Sequence, residues 1–124
     1  MQNPVGWFEI YVSDIVRAKS FYQAVLAQEL SDMPSPIPGM KMVSFPMSQE
    51  APGATGALVL HPTRKPNQEG TLIYFSCEDC AIEAGRVVAA GGVLTQNKFS
   101  IGQFGFIALA IDTEGNGIGF HSFK

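Results

Sequence analysis

Apolar and polar side chains near the start of the chain follow a pattern that predicts a strand and then a helix. From Val5 to Val12 they alternate with the period of two that is typical of a half-buried strand. Asp14 follows, and its carboxylate is well placed to accept hydrogen bonds from the free N–H groups of a helix N-terminus. From Ile15 to Ala27 apolar residues recur at helical spacing, which predicts an amphipathic helix.

The rest of the first half predicts two short strands between polar segments. A proline-rich passage that begins at Leu30 predicts a loop. Met40 to Phe45 and Ala57 to Leu60 are short apolar segments, separated by a turn at Pro52-Gly53. His61 to Gly70 is polar and contains two prolines, so we expect it to connect two halves of the chain.

The second half repeats the order of the first. Thr71 to Cys77 predicts a strand, and Asp79 predicts the N-cap of a helix that runs to about Ala90. Gly91-Gly92 follows as a C-cap, and Asp112 to Gly117 has the composition of a turn. Three further strands are predicted: Val93 to Thr95, Phe104 to Ile111 and Ile118 to Phe123.

An internal repeat defines the predicted architecture. Superposing Asp14 on Asp79 aligns the two halves at an offset of 65 residues. We therefore predict an α+β fold of two βαβββ modules, which form a curved, half-open mixed sheet with the helices on its convex face. Residues 1–124 form a single domain in this prediction. Module 1 covers about residues 4–61, a connector about 61–70, and module 2 about 71–124.

Composition and charge exclude several classes of protein. The chain has 124 residues, 15% of them charged, and a net charge of −3 with scattered basic residues, which argues against nucleic-acid binding. It has no apolar run of membrane-spanning length and no signal-peptide pattern, so we expect no membrane partner and a cytoplasmic location. Thiols stay reduced there, and the pattern Cys77-Glu78-Asp79-Cys80 is therefore interpreted as core packing.

Several motifs resemble those of a known superfamily. The opening Trp7-Phe8-Glu9-Ile10, with Asp14, Arg17-Ala18 and Phe21-Tyr22, resembles the start of vicinal-oxygen-chelate proteins. These are the glyoxalase, bleomycin-resistance and extradiol-dioxygenase proteins. The second half is similar to the branch related to lactoylglutathione lyase in four segments: Gly70 to Phe75, Gly91-Gly92, Gly102 to Phe106 and Asp112 to Asn116.

The resemblance implies metal ligands on the concave face, one from the first and one from the last strand of each module. Three of these places fall on Trp7, Leu72 and Gly119, whose side chains cannot coordinate a metal ion. The fourth lies in the strand Ala57 to Leu60, which contains no ligand type. We therefore expect no metal and no other cofactor.

Three polar residues lie two positions beyond the lost ligand places. Because side chains alternate along a strand, Glu9, Tyr74 and His121 are predicted to project into one concave cavity. A carboxylate and an imidazole are typical of acid–base sites, so Glu9 and His121 are the candidate catalytic residues. The candidate ligand-binding residues are Trp7, Tyr74, Leu72, Gly119, Phe104 and Phe106, and the absent side chain of Gly119 is expected to leave room for a ligand.

The main functional prediction is a glyoxalase-like protein that binds a small organic molecule without a metal. One alternative is a lyase, isomerase or epimerase with Glu9 as the general base. Another is a metal-dependent, lactoylglutathione-lyase-like enzyme with a displaced metal site built from Glu9, His121 and His61. Since a half-open sheet leaves edge strands and apolar surface exposed, we also expect a homodimer.

Overall fold

Each half of the chain forms its own four-stranded mixed sheet in the computed structural model, which describes residues 3–124. The first half contains β1 (Phe8–Tyr11), α1 (Ile15–Leu26), β2 (Ser31–Met33), β3 (Lys41–Ser44) and β4 (Gly56–Leu60). The second half contains β5 (Ile73–Ser76), α2 (Cys80–Ala84), β6 (Val93–Ser100), a short 3-10 helix (Gly102–Phe104), β7 (Phe106–Ile111) and β8 (Gly117–Ser122).

The two sheets have the same topology. Their strand orders are β1-β4-β3-β2 and β5-β8-β7-β6, and only the β1–β4 and β5–β8 pairs are parallel. Both sheets are open, and β1 and β5 are each an edge strand. The predicted α+β fold of two βαβββ units is confirmed.

Both helices begin at the predicted aspartates. The carboxylate of Asp14 accepts hydrogen bonds from the N–H groups of Val16 (3.1 Å) and Arg17 (3.0 Å), and Asp79 accepts one from Ala81 (3.0 Å). Each cap satisfies backbone donors that the first helical turn leaves free. No helix formed by residues 3–124 has the length and apolar character needed to cross a membrane.

The structure differs from the prediction at four elements. Helix α2 ends at Ala84, because Gly85 follows directly and the chain continues in turns to Gly91. Strand β2 was missed, since it is a three-residue edge strand with mostly exposed side chains. Strand β6 extends to Ser100, five residues beyond the predicted end, and its irregular register and mostly exposed residues hide the alternation. Phe104 lies in the 3-10 helix instead of a strand.

The core lies between the helices and one face of the sheets, and it is shared by the two halves. Ile10 and Leu58 from the first sheet pack in the same cluster as Phe120 from the second. An aromatic contact also joins the halves, since the rings of Phe8 and Phe75 lie 6.3 Å apart. Cys80 is buried in this cluster, and Cys77 packs against it as a free thiol. We call the opposite face of each sheet its open face.

A hydrogen-bonded turn, Asp112 to Asn116, ties the second half to the first. The carboxylate of Asp112 accepts a 2.6 Å hydrogen bond from the buried Tyr22 hydroxyl of α1. Asn116 donates from Nδ2 to the carbonyl oxygen of Tyr11 (2.8 Å). The Asp112–Asn116 turn is one of the segments in which the sequence resembles the superfamily, and here it holds β1 and α1 against β8.

Glu114 makes the densest set of contacts in this turn. Its carboxylate is fully buried and accepts hydrogen bonds from the backbone N–H groups of Ser13 and Asp14, both at 2.8 Å. The Arg17 guanidinium donates two more, at 2.8 and 3.0 Å, and the Thr113 hydroxyl donates a fifth at 2.9 Å. Burial alone would raise the pKa of Glu114, but these donors lower it to about 2.

Candidate functional site

Two cavities open along the edge strands β1 and β5. The first, which we call the Glu9 cavity, has a volume of about 440 Å³ and is lined by all of β1, the connector and the start of β8. The second, the Tyr74 cavity, has a volume of about 510 Å³ and is lined by all of β5 and the loop before β4. Val5, Phe8 and Ile73 line both cavities.

Strand alternation places a carboxylate between two aromatic side chains in the Glu9 cavity. Ile10 packs into the core, so Glu9 and Tyr11 point to the open face, and Trp7 lies beside them. The Tyr11 hydroxyl donates to Oε1 of Glu9 (3.0 Å), and the Trp7 indole donates weakly to Oε2 (3.4 Å). Both carboxylate oxygens are therefore oriented by the cavity wall, and each retains further capacity to accept hydrogen bonds.

The surroundings of Tyr11 keep it as a hydrogen-bond donor. Burial and the adjacent Glu9 carboxylate raise the pKa of Tyr11, so the hydroxyl stays protonated near neutral pH. The His61 ring packs edge-on against Tyr11 at 6.0 Å, and the Arg64 guanidinium lies 5.8 Å from the Tyr11 ring centre. These contacts fix the ring, and with it the position of the Glu9 carboxylate.

The rim of the Glu9 cavity is polar and carries a positive charge. Lys65 and Asn67 of the connector line it, and Asn67 is held by a 3.0 Å hydrogen bond from its backbone N–H to Oδ1 of Asn116. Within residues 3–124 the salt bridges do not include Glu9 or Lys65. One cavity therefore offers a carboxylate, an ammonium group and three aromatic residues, two of which hydrogen-bond to that carboxylate.

Tyr74 and Leu72 line the other cavity. Tyr74 lies next to Gly119 across the parallel β5–β8 pair, and a Cβ atom on Gly119 would lie 2.5 Å from the Tyr74 ring. The expectation that Gly119 leaves room for a ligand therefore needs correction, because the Tyr74 ring occupies that space. The missing side chain allows the aromatic ring to approach the backbone of β8 closely.

His121, Phe104 and Phe106 line neither cavity. The Nε2–H of His121 donates to the carbonyl oxygen of Phe104 (2.6 Å), and its ring packs edge-on against Phe123 at 4.8 Å. Phe106 packs on the core, with the Lys98 ammonium 4.7 Å from its ring centre.

The three polar residues that we predicted together are thus separated. Glu9 lines one cavity, Tyr74 lines the other and His121 lines neither. The physical reason is that residues 116–118, at the start of β8, line the Glu9 cavity, whereas His121 lies near the end of that strand. The catalytic roles of Glu9 and His121 stay predictions, and a shared acid–base cavity has no support from the geometry.

The donor atoms do not fit the metal site that the resemblance implies. Trp7, Leu72 and Gly119 supply no ligand atoms, and within residues 3–124 no group of three or more His, Cys, Asp or Glu side chains could hold a metal ion. His61, a candidate ligand of the displaced site, uses Nδ1 to accept hydrogen bonds from the N–H groups of Thr63 (3.1 Å) and Arg64 (3.2 Å). We therefore derive no metal chemistry for this site.

Sequence reasoning missed several residues of the Glu9 cavity. Tyr11 lies two residues beyond Glu9 in β1 and so points to the same face of the strand. The alternation that identified Glu9 could therefore also have identified Tyr11. Lys65, Asn67 and Asn116 reach the cavity only through the folding of the connector and the Asp112–Asn116 turn. No local pattern marks these three residues as part of a site.

Comparison with solved structures places this geometry in a known fold. A glyoxylase/bleomycin resistance protein/dioxygenase domain from Frankia sp. EAN1pec superposes with a TM-score of 0.72 at 14% identity, and the match covers 100% of both chains. A glyoxalase-related enzyme from Fulvimarina pelagi gives 0.70 at 15% identity and covers 95% of this chain and 86% of that one. The chain has the vicinal-oxygen-chelate fold.

This vicinal-oxygen-chelate fold is also found in larger proteins. Glyoxalase I from Zea mays superposes with a TM-score of 0.72 at 17% identity, and the match covers 97% of this chain but 46% of that chain. No family model matches the sequence, and no curated protein matches it. At identities this low, the superpositions establish the fold alone. The activity has to be argued from the site.

Proposed function

We propose that this protein binds a small organic molecule in the Glu9 cavity without a resident metal ion. The observation that carries the proposal is the Glu9 carboxylate, held by Tyr11 and Trp7 inside a cavity of about 440 Å³. This volume falls in the range of small-molecule pockets, and apolar walls with a few oriented polar groups are typical of them. Two of the apolar wall residues are Ile73 and Ile118.

The chemistry of the cavity favours a ligand that presents a positively charged or N–H group to Glu9. A carboxylate accepts charge-assisted hydrogen bonds, and the face of Trp7 can attract a cation, as the Tyr11 ring already attracts the Arg64 guanidinium. Lys65 at the rim lines the same cavity and can pair with an acidic group at the far end of such a ligand. The names of the structural neighbours, which include bleomycin resistance proteins, are consistent with small-molecule binding in this fold.

Fluorescence of Trp7, the single tryptophan of the chain, gives a direct test. We expect benzylamine to change this fluorescence saturably, and the uncharged benzyl alcohol and the anionic benzoate not to do so. Glu9→Gln removes the negative charge but keeps the shape, and we expect it to weaken benzylamine binding about tenfold. Glu50→Gln, at an exposed position outside both cavities, serves as the matched control.

Two results would contradict the proposal. One is the absence of a saturable change with benzylamine, and the other is equal affinity in the wild-type protein and Glu9→Gln. Elemental analysis of the same purified samples tests the metal-independent part. A stoichiometric transition metal that is lost in Glu9→Gln would instead support the displaced metal site.

We also propose that the protein forms a homodimer. Large apolar side chains are exposed on the second half outside the Tyr74 cavity, among them Phe99 (38%), Phe104 (62%) and Phe123 (79%). A second copy of the chain would cover these side chains together with the open sheet edges. We expect light scattering at micromolar concentration to give about twice the chain mass of 13.3 kDa. A mass near 13.3 kDa would refute the dimer.

A further inference from the structure

We propose that the Tyr74 cavity is a second small-molecule site, which takes an uncharged aromatic molecule. It is independent of the Glu9 cavity in its chemistry, although the two share three wall residues. The proposal does not rest on the function proposed for the Glu9 cavity. Three observations support it: the internal repeat, the aromatic floor and the absence of charge.

The internal repeat relates the two cavities to each other. At the offset of 65 residues, Trp7 and Glu9 of the first cavity correspond to Leu72 and Tyr74 of the second. Ile118 lies opposite Ile73 as Gly56 lies opposite Phe8, so residues 116–118, which line the first cavity, correspond to residues 54–56, of which Ala54 and Thr55 line the second. The duplicated fold thus builds two cavities of similar size, and substitution has given them different walls.

The floor of the Tyr74 cavity is aromatic. Phe8, Phe45 and Phe75 line it, and their ring centres are separated by 5.5 Å (Phe8 to Phe45), 5.7 Å (Phe45 to Phe75) and 6.3 Å (Phe8 to Phe75). These separations fall in the range in which aromatic rings attract each other in tilted or edge-to-face geometry. A further ring from a ligand can therefore join an existing cluster.

The rim is polar but carries no charge. None of the residues that line the cavity is Asp, Glu, Lys, Arg or His, so a charged ligand would lose its hydration without a compensating partner. Ser76 and Tyr74 present hydroxyl groups, and within residues 3–124 the Tyr74 hydroxyl makes no hydrogen bond to the protein. The rim therefore fits a neutral molecule with a hydroxyl or carbonyl group beside its ring.

Backbone amide NMR can test the second site with benzyl alcohol as the probe and benzoate as its charged counterpart. We expect saturable shifts at amides of residues 53–55 and 72–76 with benzyl alcohol, and none of these with benzoate. Ala54→Phe places a ring in the cavity from an exposed loop position, and we expect it to abolish the shifts while the rest of the spectrum stays native. Glu9→Gln should leave them unchanged, which separates this site from the Glu9 cavity.

Other outcomes would overturn the proposal. Equal shifts with benzoate would exclude selection for an uncharged ligand. Shifts that persist in Ala54→Phe, or no saturable shifts at all, would show that the cavity does not bind the probe. If the shifts appeared only on dilution to monomer, a second copy of the chain would be the occupant instead of a small molecule.

Discussion

Replacing Glu114 by alanine is expected to lower the free energy of unfolding by about 3 kcal/mol, because the substitution removes a buried acceptor and leaves two part-buried backbone donors without a partner. The backbone N–H groups of Ser13 and Asp14 both donate to Glu114 at 2.8 Å, and alanine cannot replace either bond. For a domain of this size the loss corresponds to a fall in melting temperature of about 10 °C. Differential scanning calorimetry at neutral pH measures it, with Glu50→Ala as the control at an exposed carboxylate.

The lowered pKa of Glu114 also predicts how the free energy of unfolding decreases at acid pH. The pKa of Glu114 is about 2 in the folded protein against an ordinary value of 4.5. A carboxyl with a lowered pKa stabilises the fold fully above pH 4.5, and this stabilisation is lost as the pH falls from about 4.5 towards 2. Glu114→Gln should therefore flatten the acid limb of the stability profile. An unchanged acid limb, or a melting temperature within error of wild type in Glu114→Ala, would refute the assigned role.

Replacing Gly56 by alanine is expected to cost about 2–4 kcal/mol and to disrupt the Glu9 cavity. Gly56 is buried in β4 opposite Phe8 of β1, and a Cβ atom there would overlap the Phe8 carbonyl oxygen. It would also lie 2.7 Å from Cγ of the Phe8 ring. Because the conflict is with backbone, β1 has to move, and β1 carries Glu9 and Tyr11.

Urea denaturation and Trp7 fluorescence test this prediction together. We expect Gly56→Ala to lower the urea midpoint and to weaken benzylamine binding, since both depend on the position of β1. Gly6→Ala is a matched control, because no atom lies within 4 Å of a Cβ placed at Gly6. Wild-type stability in Gly56→Ala would mean that the β1–β4 pairing tolerates the extra methyl group.

Much of the fold could be predicted because it depends on local chemistry. Asp14 and Asp79 identified both helix starts, and period-two alternation identified β1 and β5, since each strand packs one face against the core. Strand β2 was missed because an exposed edge strand needs no apolar alternation. Helix α2 was overextended because the apolar spacing continues through turns that Gly85 interrupts.

The site was harder to predict, because its assembly depends on how the two sheets meet. Strand parity placed Glu9 and Trp7 on the open face, and the structure shows both in one cavity. The alternation of side chains along a strand does not show which strands share a cavity. Sequence reasoning therefore placed Glu9, Tyr74 and His121 in one cavity, whereas the structure separates them. Lys65 of the connector also lines the Glu9 cavity, and no sequence pattern near Lys65 indicates that it belongs to a site.

The Asp112–Asn116 turn also constrains when the protein can fold during its synthesis. Arg17 and Glu114 are 97 residues apart, and Tyr22 and Asp112 are 90 apart, so these contacts close nearly the whole chain. The first half, as it leaves the ribosome, has no acceptor for the Tyr22 hydroxyl until the second half has also emerged. The helix and sheet of the first half therefore lack these contacts until residues 112–114 have been synthesised.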